Sequence, residues 1–270
     1  MTDLLGGTTR QLRRAALFLL SRANPGDVTI RHHYTADRIR LHSFRHKGYW
    51  FHGRRRERDS MECFGRLIGP GDCVVEAGGH IGYISLYFSQ LVGAGGSVHV
   101  FEPGSNNLPY VDANVGHKSN VTVTHQALGS AAGALTMHVE DLTGQNNSLV
   151  ANFAGLAGNE RNAIRANITQ ELVEVTTIDA YVGRTAVRPT FIKIDVEGFE
   201  WEVLQGAAQV LDRDRPVLMV EVQSHRAEIA AMLHGLGYQL YEADGHLLTE
   251  IPDNTVNVFA LPEGRAFPTH

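Results

Sequence analysis

The pattern of apolar and polar positions changes character near residue 70. Before it, residues 9–22 read as a short amphipathic helix, stopped by Asn24, Pro25 and Gly26. Loose alternation follows, with strand candidates at 39–43 and 49–51 and Gly48 placed for a hairpin turn. The charged run from Arg54 to Asp59 leads into a helix over 61–68, closed by Gly69, Pro70 and Gly71. Beyond that point the rhythm is regular. Short apolar runs at 73–77, 97–101, 121–125, 190–194 and 216–222 alternate with helical stretches at 83–91, 106–114, 200–211 and 227–236. Runs at 135–139, 238–242 and 257–261 add further strands. Strands alternating with helices of this length form right-handed βαβ units, so the fold class is α/β with a doubly wound, mostly parallel sheet. The expected division is a small N-terminal extension, 1–59, and one main domain, 60–270.

Charge sharpens this division. Residues 1–60 hold thirteen Lys and Arg against five Asp and Glu, whereas the remaining 210 hold eleven against twenty-four. The acidic main domain has no electrostatic footprint for nucleic acid. The basic extension either neutralises that domain or meets an anionic partner or surface. The apolar run at 15–20 is too short to span a bilayer, and no small-residue cleavage site follows it, so no integral membrane segment or leader is expected. Two cysteines, Cys63 and Cys73, cannot make a disulfide framework, which favours a reducing, cytoplasmic setting.

The most informative stretch is Val74-Val75-Glu76-Ala77-Gly78-Gly79-His80-Ile81-Gly82-Tyr83. It reads as strand, glycine turn and helix, and in an open α/β sheet a ligand lies beyond the carboxyl ends of the strands at the point where strand order reverses. Gly78 and Gly82 let backbone approach a ligand where a Cβ would intrude, and helix N–H groups point the same way. The dinucleotide pattern G-x-G-x-x-G is absent, as is a phosphate loop at this turn. An acid at Glu76 suits a ligand with a cationic amino group, such as a methionine-like moiety, and would be costly beside a diphosphate. Glu102, followed by Pro103, ends the second strand 26 residues later, where a carboxylate can accept both ribose hydroxyl protons. Gln126 and Ala127, at the exit of the third strand, lie where an adenine edge would be read.

These residues resemble the FkbM family of methyltransferases. The likeness rests on Glu76 to Ser85, Val100 to Pro103, Gln126 to Gly129 and above all Ile192-Lys-Ile-Asp-Val-Glu-Gly-Phe-Glu200, with Val203 to Ala207 and Leu218 to Glu221 following in the family order. It covers about residues 60–245. It departs at the turn, where the family usually has Gly-Ala-Asn-x-Gly and this chain has Gly78-Gly79-His80-Ile81-Gly82. His80 replaces a small amide and either makes a similar hydrogen bond through a ring nitrogen or packs. The resemblance implies a Rossmann-like methyltransferase sheet, an S-adenosylmethionine cofactor, and O-methylation of a hydroxyl on a sugar, glycolipid or secondary metabolite. The cofactor-binding set it implies is Glu76, Gly78, Gly79, His80, Gly82, Glu102, Pro103, Gln126, Ala127 and Asp195.

An alcohol must lose its proton as it attacks, and a positioned base contributes on the order of 10²–10⁴-fold. Asp195, Glu221 and His225, at and beyond the ends of the fourth and fifth strands, are the candidate catalytic residues, with His225 as base and Asp195 near the reacting centre. Glu197 and Glu200 read as acids serving the first turn of the next helix. A second grouping takes Asp195, Glu221 and His225 as ligands of magnesium or manganese, giving a metal-assisted methyltransferase. A nicotinamide-dependent oxidoreductase on a similar sheet is the rival enzyme class, and a non-catalytic module the third reading. Residues 145–170, rich in Asn, Ala and Gly, read as a lid or insert, with Phe153 and Leu156 apolar toward the acceptor. Tyr34, Tyr49, Trp50 and Phe51 fit an acceptor wall, core packing or a contact in a homo-oligomer. The partner expected is a small-molecule or glycan acceptor, with no nucleic acid.

Overall fold

The computed structural model describes residues 23, 25–151, 153, 156 and 166–268. The helix expected at 9–22 lies outside the described residues. The chain divides into two compact units, residues 1–56 and 57–270. No helix among the described residues is long and apolar enough to cross a membrane.

In the first unit β1 (Asp27–Arg31) pairs antiparallel with β2 (Arg38–His42), in a register running from Asp27 opposite His42 to Arg31 opposite Arg38. The connection is stabilised by His32, whose Nδ1 accepts from the backbone N–H of Thr35 at 3.1 Å. The hairpin is therefore not the expected one. Residues 49–51 belong to α1 (Lys47–His52), which buries Tyr49 and leaves Trp50 and Phe51 exposed. Three aromatic residues are too few to distinguish period two from a helical turn. His42 and His46 decide locally: the side chain of His42 accepts from the N–H groups of Phe44 and Arg45, and that of His46 from the N–H of His42, bending the chain out of the strand.

The second unit opens with α2 (Arg58–Leu67). It continues through β3 (Cys73–Ala77), α3 (Tyr83–Val92), β4 (Ser97–Phe101), α4 (Leu108–Val115) and β5 (Val121–Thr124). Next come β6 (Ala127–Leu128), β7 (Gly133–Glu140), β8 (Ile168–Thr176) and α5 (Ile178–Thr185), then β9 (Phe191–Ile194), α6 (Glu200–Gln205) and α7 (Ala208–Arg213). The chain closes with β10 (Val217–Glu221), α8 (Arg226–Gly235), β11 (Tyr238–Tyr241), β12 (Leu247–Leu248) and β13 (Asn257–Pro262). The eight-stranded sheet has the order β12-β11-β13-β10-β9-β3-β4-β5. Strands β10, β9, β3, β4 and β5 are parallel; β13 runs antiparallel to β10 on one side and to β11 on the other. This is a doubly wound, mostly parallel α/β sheet. Its strand order reverses between β3 and β9, the point at which ligands bind in such sheets.

Strands β3, β4, β9 and β10 are buried on both faces, which explains their near-continuous apolar runs. Val75, Ile192, Ile194, Leu218 and Val220 share one apolar core with Val203, Leu204 and Leu211 of the covering helices.

Two features depart from expectation. The helix expected over 200–211 is two helices, α6 and α7. The break at Gly206 brings its Cα against the backbone carbonyl of Gly129, where a Cβ would come within 2.0 Å of the oxygen. The new N-terminus is then capped from another element: the Asp179 carboxylate of α5 accepts from the N–H groups of Gln209 and Val210 at 3.0 and 2.9 Å. Strand β8 and helix α5 were not foreseen. β8 pairs along its length with β7 and joins β6 in a separate three-stranded sheet. Its alternation is one-sided, burying Val173 and Val175 while Leu172 stays 75% exposed. The last three residues of the expected insert, 168–170, thus belong to this antiparallel pair.

Candidate active site

The turn after β3 is built from three left-handed residues in five, Gly78, His80 and Gly82, with φ of 84°, 48° and 80°. Glycine is required at 78 because a Cβ there would lie 1.9 Å from the backbone oxygen of Asp195. The clearance therefore serves the chain's own β9 end: the turn and Asp195 are pressed together across the switch point, and Asp195 donates its N–H to the Ala77 carbonyl at 3.1 Å. Gly78 and Gly79 both donate to the Phe101 carbonyl, tying the turn to β4 as well. Gly82 caps α3. Histidine, like asparagine, tolerates the left-handed region, so a non-glycine residue at 80 costs little. The His80 ring packs toward a neighbouring loop, with Nε2 3.2 Å from the Thr143 carbonyl.

Glu102 is buried at the end of β4. Its carboxylate accepts from the N–H of His80 at 2.7 Å, the N–H of Gly104 at 2.9 Å and Asn107 Nδ2 at 3.2 Å. Burial pushes its pKa up to about 7 despite these donors. A carboxylate offers about four acceptor positions, so one remains for an outside hydroxyl. Asn107 bridges Glu102 and the Gly144 carbonyl through Nδ2, while its Oδ1 is buried with no hydrogen-bond partner. This pair of acceptors, one open and one orphaned, fits a donor-bearing group such as a ribose diol. Pro103 is half-buried beside them. Gln126 turns its amide to Glu174 of β8, at 2.8 Å, and Ala127 is buried in β6.

Glu76, expected to face a cationic amino group, faces a protein cation. It is 1% exposed, accepts from Ser85 Oγ at 2.5 Å, and lies 3.7 Å from Lys193 Nζ. Burial raises its pKa to about 7, against the opposing pull of the lysine.

The ends of β9 and β10 hold a carboxyl cluster. Acidic oxygens of Asp195, Glu197 and Glu221 all lie within 4.8 Å of one another. Asp195 and Glu221 are hydrogen-bonded, and Lys193 Nζ is 3.0 Å from Asp195 Oδ2. The Asp195 charge, then burial, drives Glu221 up to about 11. Burial works to raise Asp195, but Lys193 and the hydrogen bonds from Glu221 and Lys193 outweigh it and hold Asp195 down at about 2. Carboxyls this close cannot both ionise, so the pair holds one proton between them, with Lys193 favouring the anion at Asp195. Burial, then the Asp195 charge, raises Glu197 to about 8.

His225 is not a member of this cluster. It caps α8 with φ 51°, and its exposed ring stacks on Trp201 at 6.1 Å and 15°. The place expected for it is taken by Glu197, whose own φ of 55° turns it back from the helix toward Asp195. The grouping of Asp195, Glu221 and His225 as ligands of one divalent ion is therefore replaced by three carboxyls, with the Lys193 ammonium as the adjacent cation. Glu200, by contrast, serves its helix as expected, accepting from the Gly198 N–H at 2.8 Å. Lys193, Asn107 and Ser85 went unassigned in the sequence, because each acts through partners distant along the chain. The described part of the 145–170 stretch is tied down: Ser148 exchanges backbone hydrogen bonds with His138, and its Oγ donates to the Glu197 carbonyl at 2.6 Å. Phe153 packs over Gly198, and Leu156 is buried.

A glycine turn at the reversal of strand order, a buried acid on the next strand and acids on the fourth define the nucleotide-dependent class of doubly wound enzymes. The description "Methyltransferase FkbM domain" matches residues 76–244. The chain belongs to this family of S-adenosylmethionine-dependent methyltransferases. No curated protein matches it. Among solved structures, the methyltransferase FkbM from Methylobacillus flagellatus KT is 17% identical, with a TM-score of 0.45 over 74% of this chain and 50% of that one. This chain thus spans half the length of that structure. A putative rRNA-methylase from Clostridium thermocellum is 12% identical, with a TM-score of 0.44 over 76% and 95%. An S-adenosylmethionine-dependent O-methyltransferase from Thermotoga maritima is 11% identical, with a TM-score of 0.43 over 77% and 66%.

Proposed function

We propose that the protein methylates a hydroxyl of a sugar, glycolipid or secondary metabolite, with S-adenosylmethionine held at the β3–β4–β9 end of the sheet. In this reading Gly78, Gly79, His80 and Gly82 supply the backbone of the pocket, and Glu102 with Pro103 the ribose end. Gln126 and Ala127 supply the adenine end, and Asp195 the negative charge opposite the sulfonium and amino groups, while Glu76 is held by Lys193 and Ser85. The cofactor, when bound, brings an activated methyl group. Everything else falls to the chain: orienting the acceptor, excluding water and taking its proton. Alignment of two reactants supplies several kcal/mol of such a barrier.

The observation that carries the reading is Glu102, buried under three protein donors with one acceptor position open, beside the orphaned Asn107 Oδ1. O-methylation is supported by the carboxyl cluster. A hydroxyl arrives neutral and must shed a proton, and Asp195, Glu197 and Glu221 offer carboxyls that hold and exchange one. Asp195 is the anion nearest the turn. Glu197, at about 8, is better matched to receive a proton near neutral pH than Glu221. His225, stacked on Trp201, reaches the acceptor from the rim in this reading.

Calorimetric titration with S-adenosylmethionine tests the cofactor site. Wild-type protein is expected to bind, and Glu102→Gln to weaken binding about 10–100-fold while still folding, with a lower unfolding temperature because its amide NH2 replaces an acceptor of a backbone N–H. Equal affinities would remove Glu102 from the site. Methyl transfer from labelled cofactor to a panel of hydroxyl, amine and thiol acceptors then tests the acceptor class.

A further inference from the structure

Lys193 does more than keep Asp195 ionised. It is 1% exposed in the middle of the sheet, and a buried ammonium costs several kcal/mol unless it is fully paired. A methionine or leucine would fill this position in an apolar strand without that cost. The pairing instead is complete and directional. Lys193 stands directly opposite Glu76 in the parallel register of β9 and β3, which puts both side chains on one face. Its Nζ lies 3.7 Å from Glu76 Oε1 and 3.0 Å from Asp195 Oδ2, and donates to the Gly78 carbonyl at 3.2 Å. One ammonium thus touches the acid before the glycine turn, the carbonyl inside the turn and the acid that ends β9.

We propose that Lys193 is a positioning residue for cofactor binding, locking the glycine turn to the end of β9 so that Gly78–Gly82 and Asp195 are presented as one preformed surface. The reason lies in the turn's geometry. Gly78 is left-handed, and its Cα rests against the Asp195 backbone, so the turn can be displaced only by breaking the bond from Lys193 to its carbonyl. A surface held in advance does not spend binding energy on ordering itself. The inference rests on the reading that the cofactor lies at this turn.

The test compares S-adenosylmethionine affinity and thermal unfolding for wild type, Lys193→Met, the double variant Lys193→Met with Glu76→Gln, and Lys193→Arg. Lys193→Met leaves two buried carboxyls without their cation and will unfold at lower temperature. The double variant removes one charge of each sign and restores the balance, and the amide that replaces the Glu76 carboxylate can still meet Ser85. If Lys193 only balances charge, the double variant recovers both stability and affinity. If it positions the turn, stability recovers but the dissociation constant stays at least about tenfold above wild type, since no donor reaches the Gly78 carbonyl. Wild-type affinity in the folded double variant overturns the proposal. Lys193→Arg keeps the charge but not the compact geometry of the ammonium. A folded Lys193→Arg protein with unchanged affinity also overturns it. Absence of binding in the folded wild type removes the cofactor reading itself, and the inference with it. Binding in wild type with no change in the variants sinks the inference alone.

Discussion

The two halves of the candidate site are made in different ways. At the β3–β4 end, shape is set by backbone: Gly78 and Gly79 bond the Phe101 carbonyl, and Glu102 is gripped by the N–H groups of His80 and Gly104. At the β9–β10 end, shape is set by side chains that share protons, with Asp195, Glu197 and Glu221 packed within 4.8 Å. The first half is rigid because its donors are fixed in the chain. The second is chemically responsive because like charges this close cannot all ionise. In the proposed reading, binding falls to the backbone-built region and proton handling to the carboxyl cluster.

Gly78→Ala would break the comparison most severely. The new Cβ meets a backbone oxygen at 1.9 Å and φ is 84°, so no side-chain adjustment relieves it. Loss of about 2–4 kcal/mol of stability is expected by thermal or chemical unfolding, together with loss of cofactor binding. Retention of both would mean that the turn is not held against Asp195.

At the other end, Asp195→Asn should lower the methyl-transfer rate by about 100-fold or more, in the range of a lost acid–base group. Glu221→Gln should cost only severalfold, because the Asp195 charge favours a protonated Glu221 and an amide can still donate to Asp195. Rates for the two variants with one acceptor decide the point, and similar losses would show that the proton is not localised on Glu221.

The smallest effect expected is on the pH dependence of stability. Glu76, Glu102 and Glu200 are raised from 4.5 to about 7, and Glu197 to about 8. Between pH 4.5 and 8 the folded chain therefore binds more protons than the unfolded chain, and stability falls as pH rises through that window. Asp195 acts in the opposite sense: the stability it contributes is present above the unfolded value of 3.8 and is lost as pH falls toward 2. Melting temperatures of the cofactor-free protein should decline from about pH 5 to about pH 8. A flat profile would mean that these carboxyls are solvated.

Much of this was legible in the chain because the signals are local. The glycine turn, the acid 26 residues later and the run from Ile192 to Glu200 each declare themselves within a few residues, and strands Cys73–Ala77 and Ser97–Phe101 lie where their apolar runs end. The failures have a common cause. The fork between α6 and α7 depends on Gly129 and Asp179, and β8 on its pairing with β7; none of these partners is near in sequence. Tyr49 to Phe51 alternated too briefly to outweigh the histidine-bonded bend before them.

The sequence by itself determined the parallel strands of the main sheet, the glycine turn and the residue types at the strand ends, since glycine, buried apolar runs and turn acids act over one or two turns of chain. Only the tertiary structure decided that Lys193 joins Glu76, Gly78 and Asp195, that Glu197 enters the cluster, and that His225 stacks on Trp201 outside it. Those outcomes depend on which strands become neighbours at the switch point, and on how a proton divides among carboxyls brought together from separate strands and loops.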